Sequence, residues 1–276
     1  MKDAVLVVTV LRGLPLSDAP VRASLEQAPT LAVRLYDNGG GHVSGFLPPS
    51  WCLIRDRRNP GVGPRYLDAA RQAISEGRSY LLLLDQDFHA DADWWRRYEE
   101  AVARSPEAVA WAPRLRSGIV QCSPMRLRHG CPRGPACEGN VPAHGHLALN
   151  SGLLVRAEEV VAAEAALLAC PLDFSDYALC WSMGRRGGEI APVALELGHE
   201  LSSHRPASPR ERLARFQWFA YGARGWALLD PEHRPAVMVW AVGRGIKLAL
   251  ACRKAGFLVA LWERFLRGRS PVGTGA

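Results

Sequence analysis

The chain has 276 residues, 48% of them hydrophobic and 22% charged, with a formal net charge of +7. That composition excludes a disordered or low-complexity chain and allows one large α/β domain, or one domain with an appendage. The seven cysteines show no pairing pattern in a chain too large to need staples, so they read as free thiols in a reducing compartment.

The N-terminal "MKDAVLVVTVLRG" is too short, and too polar afterwards, for a signal peptide. No run reaches the roughly 18 uninterrupted apolar residues of a membrane span, so a cytoplasmic protein is expected. In chain order, "AVLVVTV" (4–10), "LAVRLYD" (31–37), "WCLIRD" (51–56) and "YLLLLD" (80–85) are short β-rich runs. Their nearly continuous apolar character is that of strands covered on both faces. Between the third and fourth, Gly63 and Pro64 open a helix and Gly77 sits where a C-terminal cap belongs. A second helix is expected over 92–104 and a further strand over 109–113. Alternating strands and helices imply a mostly parallel sheet, with ligands outside the carboxyl ends of the strands. Asp37, Asp56, Asp85 and Asp87 all fall at such ends.

From Arg114 to His146 the pattern dissolves into Gly, Pro, Cys, His and Arg, which reads as a loop or insertion. "LALNSGLLVRAEEVVAAEAALLA" restores a strand and a helix, and "DFSDYALCW" opens another helix. After Pro206 two helical stretches follow, about 209–229 and 234–267, rich in Arg, Trp and Phe.

Asp85 and Asp87 are one residue apart at a strand end. Two close carboxylates repel unless a cation lies near them, and hard oxygen ligands suit Mg²⁺ or Mn²⁺, above all when a substrate diphosphate adds further oxygens. The plain alternative is helix capping, which Asp91 and Asp93 are also placed to do. In order, "LYDNGG", "NPGVG", "LLLLDQD", "LNSGLLVR", "DFSDY" and "LGHEL" resemble the family 2 glycosyltransferases of GT-A fold, most nearly bacterial rhamnosyltransferase-type members. The likeness runs from Ala4 to His204.

The resemblance implies a mixed, mainly parallel sheet flanked by helices, with a glycosyltransferase domain over 1–206 and a basic, amphipathic helical extension over 207–276. A nucleotide-sugar half would span about 1–113 and an acceptor half about 114–206. It assigns Asp37 to the nucleotide base, with Asn38 and Gly39 shaping that turn. Asn59 and Gly61 fall in the loop passing the nucleotide, Asp85 near the donor ribose, and Asp87 on the metal that holds the diphosphate. His199 is the histidine that completes the metal or diphosphate site, with His204 as alternate. The asparagine usual beyond the N-x-G loop is replaced here by Tyr66, Leu67 and Asp68.

Inverting transfer also needs a base for the acceptor hydroxyl. The family motif favours Asp176, with Asp173 as runner-up because the usual second acid is missing and Ala178 and Leu179 stand there. Asp173 or Ser175 alternatively caps the following helix. The likeness therefore implies an inverting, metal-dependent transferase in cell-envelope or exopolysaccharide synthesis. It would move a sugar, with dTDP-rhamnose suggested as donor, to a saccharide or lipid-linked saccharide. A sugar-phosphate nucleotidyltransferase is the rival enzyme reading, although "TVLRGLPLSD" lacks a Gly-rich, Lys-bearing phosphate loop. A catalytically inactive sugar-nucleotide-binding relative is the other.

Cys122, His129, Cys131 and Cys137 lie close in sequence, but without a clean C-x₂-C knuckle they read as an acceptor-side loop rather than a zinc site. In the tail Leu250, Phe257, Leu261 and Phe265 recur at helical spacing beside Arg253, Lys254, Arg264 and Arg267, with Trp262 among them. That suits the anionic inner face of the plasma membrane, and equally helices packed on the catalytic domain with their basic residues in water; the same helices offer a surface for oligomerisation. Much of the excess charge lies there and in the loop, and no nucleic-acid module appears, so a membrane-bound acceptor accounts for it better than nucleic acid.

Overall fold

The structure, a computed structural model, describes residues 1–39, 41, 43, 45–56, 58–199 and 208–272. The first part alternates strand and helix: β1 (Val5–Leu11), α1 (Pro20–Glu26), β2 (Ala32–Asn38), β3 (Trp51–Asp56), α2 (Gly63–Ser75), β4 (Tyr80–Asp85), α3 (Trp94–Arg104) and β5 (Ala110–Ser117). Five short strands follow: β6 (Val120–Ser123), β7 (Met125–Arg128), β8 (Cys131–Pro135), β9 (Val141–Pro142) and β10 (His146–Leu147). Then β11 (Leu153–Arg156) leads to α4 (Ala157–Ala162), α5 (Glu164–Ala169), α6 (Ser175–Arg185) and β12 (Glu189–Gly198). Three helices close the chain, α7 (Pro209–Leu229), α8 (Arg234–Cys252) and α9 (Gly256–Ala260), and a π-helical turn, Leu261–Leu266, follows them.

The main sheet has the order β3-β2-β1-β4-β11-β5-β12-β9, with β6 paired to β5. Among the described residues β6, β9 and β11 run against the rest, so the sheet is mixed and mainly parallel, as the sequence suggests. Its central strands β1 and β4 are mostly apolar because both faces are covered. Val5 and Val7 of β1 and Leu82 and Leu84 of β4 face a core with α1 and α3, whereas Leu6, Val8, Leu81 and Leu83 face one with α2 and the later helices. Each such side chain contributes about 1.5–3 kcal/mol on burial. The parallel register sets Val10 beside Asp85 and Leu11 beside Asp37, aligning the carboxyl ends of β1, β2 and β4.

Helix α2 is bounded as its punctuation implies. Pro64 lies in its first turn, where the missing N–H costs nothing. Gly77, at φ 73°, takes the left-handed position past its end and donates to the Ile74 carbonyl at 3.0 Å. Helix α3 starts at Trp94 rather than Ala92, and its N-cap Asp93 makes no side-chain cap bond.

The stretch expected to be a loop after Arg114 instead continues β5 to Ser117 and builds β6 to β10, with β10, β7 and β8 forming a small separate sheet. These strands hold two to five residues each, too short for a period to show. The turn at Gly130 (φ 72°) presses on the start of α8, where a Cβ would lie 2.9 Å from that of His233.

The tail helices pack onto this body. Gly222 and Gly225 of α7 let its backbone close on the segment before α6, where added Cβ atoms would lie 2.3 Å from the Asp173 carbonyl oxygen and 2.1 Å from that of Ala169. The second stretch expected as one helix breaks at Arg253, whose φ is 49°. Helix α8 has 19 residues with a mean hydropathy of 1.4, long and apolar enough by composition to cross a membrane, and 17% of its window is buried. Arg244 and Lys247 interrupt it, so it is not the uninterrupted apolar run expected of a membrane span.

Candidate active site

A pocket of about 480 Å³ opens at the aligned carboxyl ends of β1, β2 and β4, a size typical of ligand sites. Asp85 ends β4 and Asp87 follows it, while β12 runs parallel to β5 and delivers His199 to the same edge. The His199 backbone N–H donates to the Arg116 carbonyl at 2.7 Å, extending the ladder one residue past the strand. Ligand atoms of Asp85, Asp87 and His199 lie within 4.8 Å of one another, all three half-buried. Burial, and then the negative charge of Asp87, push the Asp85 carboxyl up, with His199 and Arg215 opposing. Two carboxylates and an imidazole at this spacing fit Mg²⁺ or Mn²⁺, and a cation there would relieve the repulsion that raises Asp85.

A second acidic pair faces the same pocket from the start of α6. Phe174, the N-cap at φ 67°, turns the chain so that Asp173 and Asp176 both line the cavity. A non-glycine residue held there is sterically costly and persists only where the surroundings enforce it. Neither Asp173 nor Ser175 caps the helix. The Ser175 hydroxyl accepts from Asn150 Nδ2 at 3.1 Å, and Asp173 Oδ1 accepts from Arg215 at 2.9 Å.

The two acids differ in their partners. Asp173 is ion-paired with Arg215, though burial still pushes its carboxyl up. Asp176 has no cationic partner among the described residues, and burial pushes it up to about 7, against a backbone N–H donated by Tyr177 at 3.0 Å. Asp173 Oδ2 and Asn150 Oδ1 are buried without a partner among the described residues, leaving two acceptors unsatisfied in the pocket lining.

The floor is a polar relay. Asp56 bonds Arg65 at 2.9 Å, Arg65 donates to Asn38 Oδ1 at 2.8 Å, and Asn38 Nδ2 donates to Asn59 Oδ1 at 3.2 Å. Arg58 and then Arg65 hold the Asp56 carboxyl well below its ordinary range. Asn38 and Asn59 line the pocket. Asp37 is fully buried and does not line it, because its side chain alternates with that of Asn38. Gly61 (φ 94°) serves close packing: a Cβ there would lie 2.1 Å from the Pro171 carbonyl oxygen. His204 lies outside the described residues.

Several lining residues escape the sequence reading. Arg12 follows β1, so the strand-end logic applied to the aspartates could have found it. Tyr66 of α2 and Asn150 also line the cavity, the latter within the quoted "LNSGLLVR". Arg215, Phe219, Trp240 and Arg244 come from α7 and α8, and nothing local in the tail marks them as inward-facing. Phe174, Phe219 and Trp240 form an aromatic cluster with centroids 5.4–5.5 Å apart, and the Arg244 guanidinium sits 4.1 Å from the Phe219 ring centroid.

Cys122, His129, Cys131 and Cys137 form no group of metal-ligating atoms among the described residues. Burial raises the Cys122 and Cys131 thiols, which disfavours the thiolate a zinc site needs.

No family model and no curated protein matches this chain. Among solved structures it is similar to TarS 1-349 from S. aureus at 11% identity and a TM-score of 0.48, covering 97% of this chain and 83% of that one. It is also similar to the mannosyltransferase PcManGT from Pyrobaculum calidifontis, solved with GDP-Man and Mn²⁺, at 13% identity and a TM-score of 0.46, covering 97% and 76%. The mannose-1-phosphate geranyltransferase from Thermus thermophilus is similar at 17% identity and a TM-score of 0.36, covering 84% and 67%.

Proposed function

We propose that the chain is a metal-assisted, inverting glycosyltransferase of GT-A type. It moves a sugar from a nucleoside diphosphate sugar to a hydroxyl of a saccharide or lipid-linked saccharide. The observation that carries this reading is one pocket at parallel strand ends with Asp85, Asp87 and His199 clustered on one part of its wall and Asp176, buried without a cationic partner among the described residues, on another.

Asp176 is the base: it takes the acceptor proton as the oxygen attacks the anomeric carbon and the bond to the diphosphate breaks. A carboxylate that titrates close to working pH suits that role. Asp173, already committed to Arg215, orients rather than accepts. Mg²⁺ or Mn²⁺ held by Asp87 and His199, with Asp85, would stabilise charge on the departing diphosphate. Asn38, held by Arg65, and Asn59, held by Asn38, offer amides to the nucleoside, and the aromatic cluster with Trp240 offers a face on which an acceptor sugar stacks. Asp37 supports the nucleoside side from beneath. The division near residue 206 separates a catalytic unit from a helical extension that completes the acceptor side. Rhamnose remains the donor sugar that the sequence likeness favours.

Incubation with a panel of sugar nucleotides, with and without Mn²⁺, is the test. Metal-dependent release of nucleoside diphosphate on adding an acceptor supports the reading, and absence of both binding and release across the panel contradicts it.

A further inference from the structure

Trp240 stands where two cavities meet. On one side it lines the catalytic pocket, beside Arg244, and on the other it ends an open groove of about 770 Å³ between β8 and α8. That groove is walled by Cys131 and Pro132 on β8 and by Pro235, Ala236 and Val239 on α8, with Arg133 as its charged member. Both walls are anchored. The Gly130 turn packs on His233, and His233 Nδ1 is 2.6 Å from Asp230 Oδ2 at the foot of α8.

The polar end of this path is equally distinctive. Arg244 lies one turn after Trp240 on the same face of α8. Its guanidinium rests on Phe219 and makes no hydrogen bond among the described residues, although it is half-buried. A cation so placed, next to an apolar trough, matches an anion that carries a hydrocarbon chain. From Val239 at the groove, Val242, Ile246 and Leu250 continue an exposed stripe along α8.

Resting on the transferase reading above, we infer that the acceptor is carried on a lipid phosphate: its phosphate meets Arg244, its first isoprenoid-like units lie in the β8–α8 groove, and its saccharide reaches past Trp240 toward Asp176. The charge of Arg244 and the sharing of Trp240 by groove and pocket commit the groove to this occupant rather than to a peptide or a second copy of the chain.

The test is calorimetric titration of the full chain with farnesyl phosphate, farnesol and inorganic phosphate, each below the micellar range. Farnesyl phosphate is expected to bind at least about tenfold more tightly than either of the others, since burying even part of an isoprene unit is worth about that factor against inorganic phosphate and a charge-assisted bond to Arg244 about that factor against farnesol. Val239→Asp, at a position 75% exposed and so harmless to the fold, and Ala236→Trp, which fills the trough, should each weaken farnesyl phosphate about tenfold or more. Both should leave Mn²⁺-dependent nucleoside diphosphate binding unchanged. Arg244→Gln should weaken farnesyl phosphate while leaving farnesol unaltered.

Equal affinity for farnesyl phosphate and inorganic phosphate overturns the inference, as does unaltered farnesyl phosphate affinity in both groove variants. Failure of the wild-type chain to bind any nucleoside diphosphate, with prenyl phosphate binding as expected, overturns the transferase reading instead and leaves the groove supported.

Discussion

At the scale of single residues, the account assigns different work to carboxylates that share one pocket. Asp87→Asn should abolish Mn²⁺-dependent nucleotide binding with the melting temperature nearly unchanged, because it removes a hard ligand and leaves the shape. Calorimetry with and without Mn²⁺ reads this, and wild-type metal dependence in the variant would remove Asp87 from the metal site. Asp176→Asn should keep nucleotide affinity and lose roughly 10² or more in turnover, the usual contribution of a general base. The same loss in Asp173→Asn but not in Asp176→Asn would move the base three residues back.

The pH dependence carries a sign. Because Asp176 is pushed up to about 7, kcat/KM should climb as pH rises toward 7 and level above it, and Asp176→Asn should lack that limb. The folded state holds this proton more tightly than the unfolded chain, whose Asp titrates near about 4. Ionisation therefore costs stability increasingly from about pH 4 to 7 and by a constant amount above. Asp176→Asn should accordingly melt higher than the wild type at pH 8 and no higher at pH 3. An equal difference at both values would show that the carboxyl is not desolvated.

At the scale of elements, α7 and α8 matter for what they bring inward. Gly222 meets the Asp173 carbonyl so closely that Gly222→Ala must push α7 off the segment leading to Asp176, costing about 1–3 kcal/mol and turnover with it. Gly243 on α8 is the control. Nothing lies within 4 Å of a Cβ there, so Gly243→Ala should stabilise by about 0.5–1 kcal/mol through helix propensity. Denaturant unfolding of the two variants checks both signs. The outward stripe of Val239, Val242, Ile246 and Leu250, near Lys247, Arg253 and Lys254, should hold the protein on anionic liposomes. Basic residues contribute about 1 kcal/mol each near such a surface, so sedimentation should weaken with salt. Val242→Glu with Leu250→Glu should abolish it, and persistence in that variant would assign the stripe to contacts between protein copies.

At the scale of the whole molecule, the sheet was legible because its first strands are short apolar runs, three of which (β2, β3 and β4) reach an aspartate at their carboxyl ends. Burial on both faces leaves that signature whatever the topology. Asp85, Asp87, Asn38, Asn59 and His199 reach the pocket by the same logic, since parallel strands collect their carboxyl ends and the loops after them on one edge, whereas Asp173 and Asp176 come from the start of α6. Asp37 shows the limit: its place at a strand end was readable, but which neighbour's side chain faces the cavity depends on a one-residue alternation. Strands β6 to β10 were not legible, being too short and too rich in Pro, Gly and Arg to display a period. Arg215, Trp240 and Arg244 were beyond reach for another reason, since Arg215 is directed by glycine-mediated packing of α7 on a segment some 50 residues earlier, and Trp240 and Arg244 by the packing of α8 against Phe174 and Phe219.

The central claim is transfer of a sugar from a nucleotide with Asp176 as base, and one measurement meets it directly. Full-length wild type and Asp176→Asn are incubated with nucleoside diphosphate sugars, Mn²⁺ and a prenyl phosphate-linked saccharide, following nucleoside diphosphate release and donor binding together. The account predicts that at least one donor gives Mn²⁺-dependent release in the wild type, reduced roughly 10² or more in Asp176→Asn with donor binding retained. Release of equal rate in both proteins, or no donor bound by either, would contradict it.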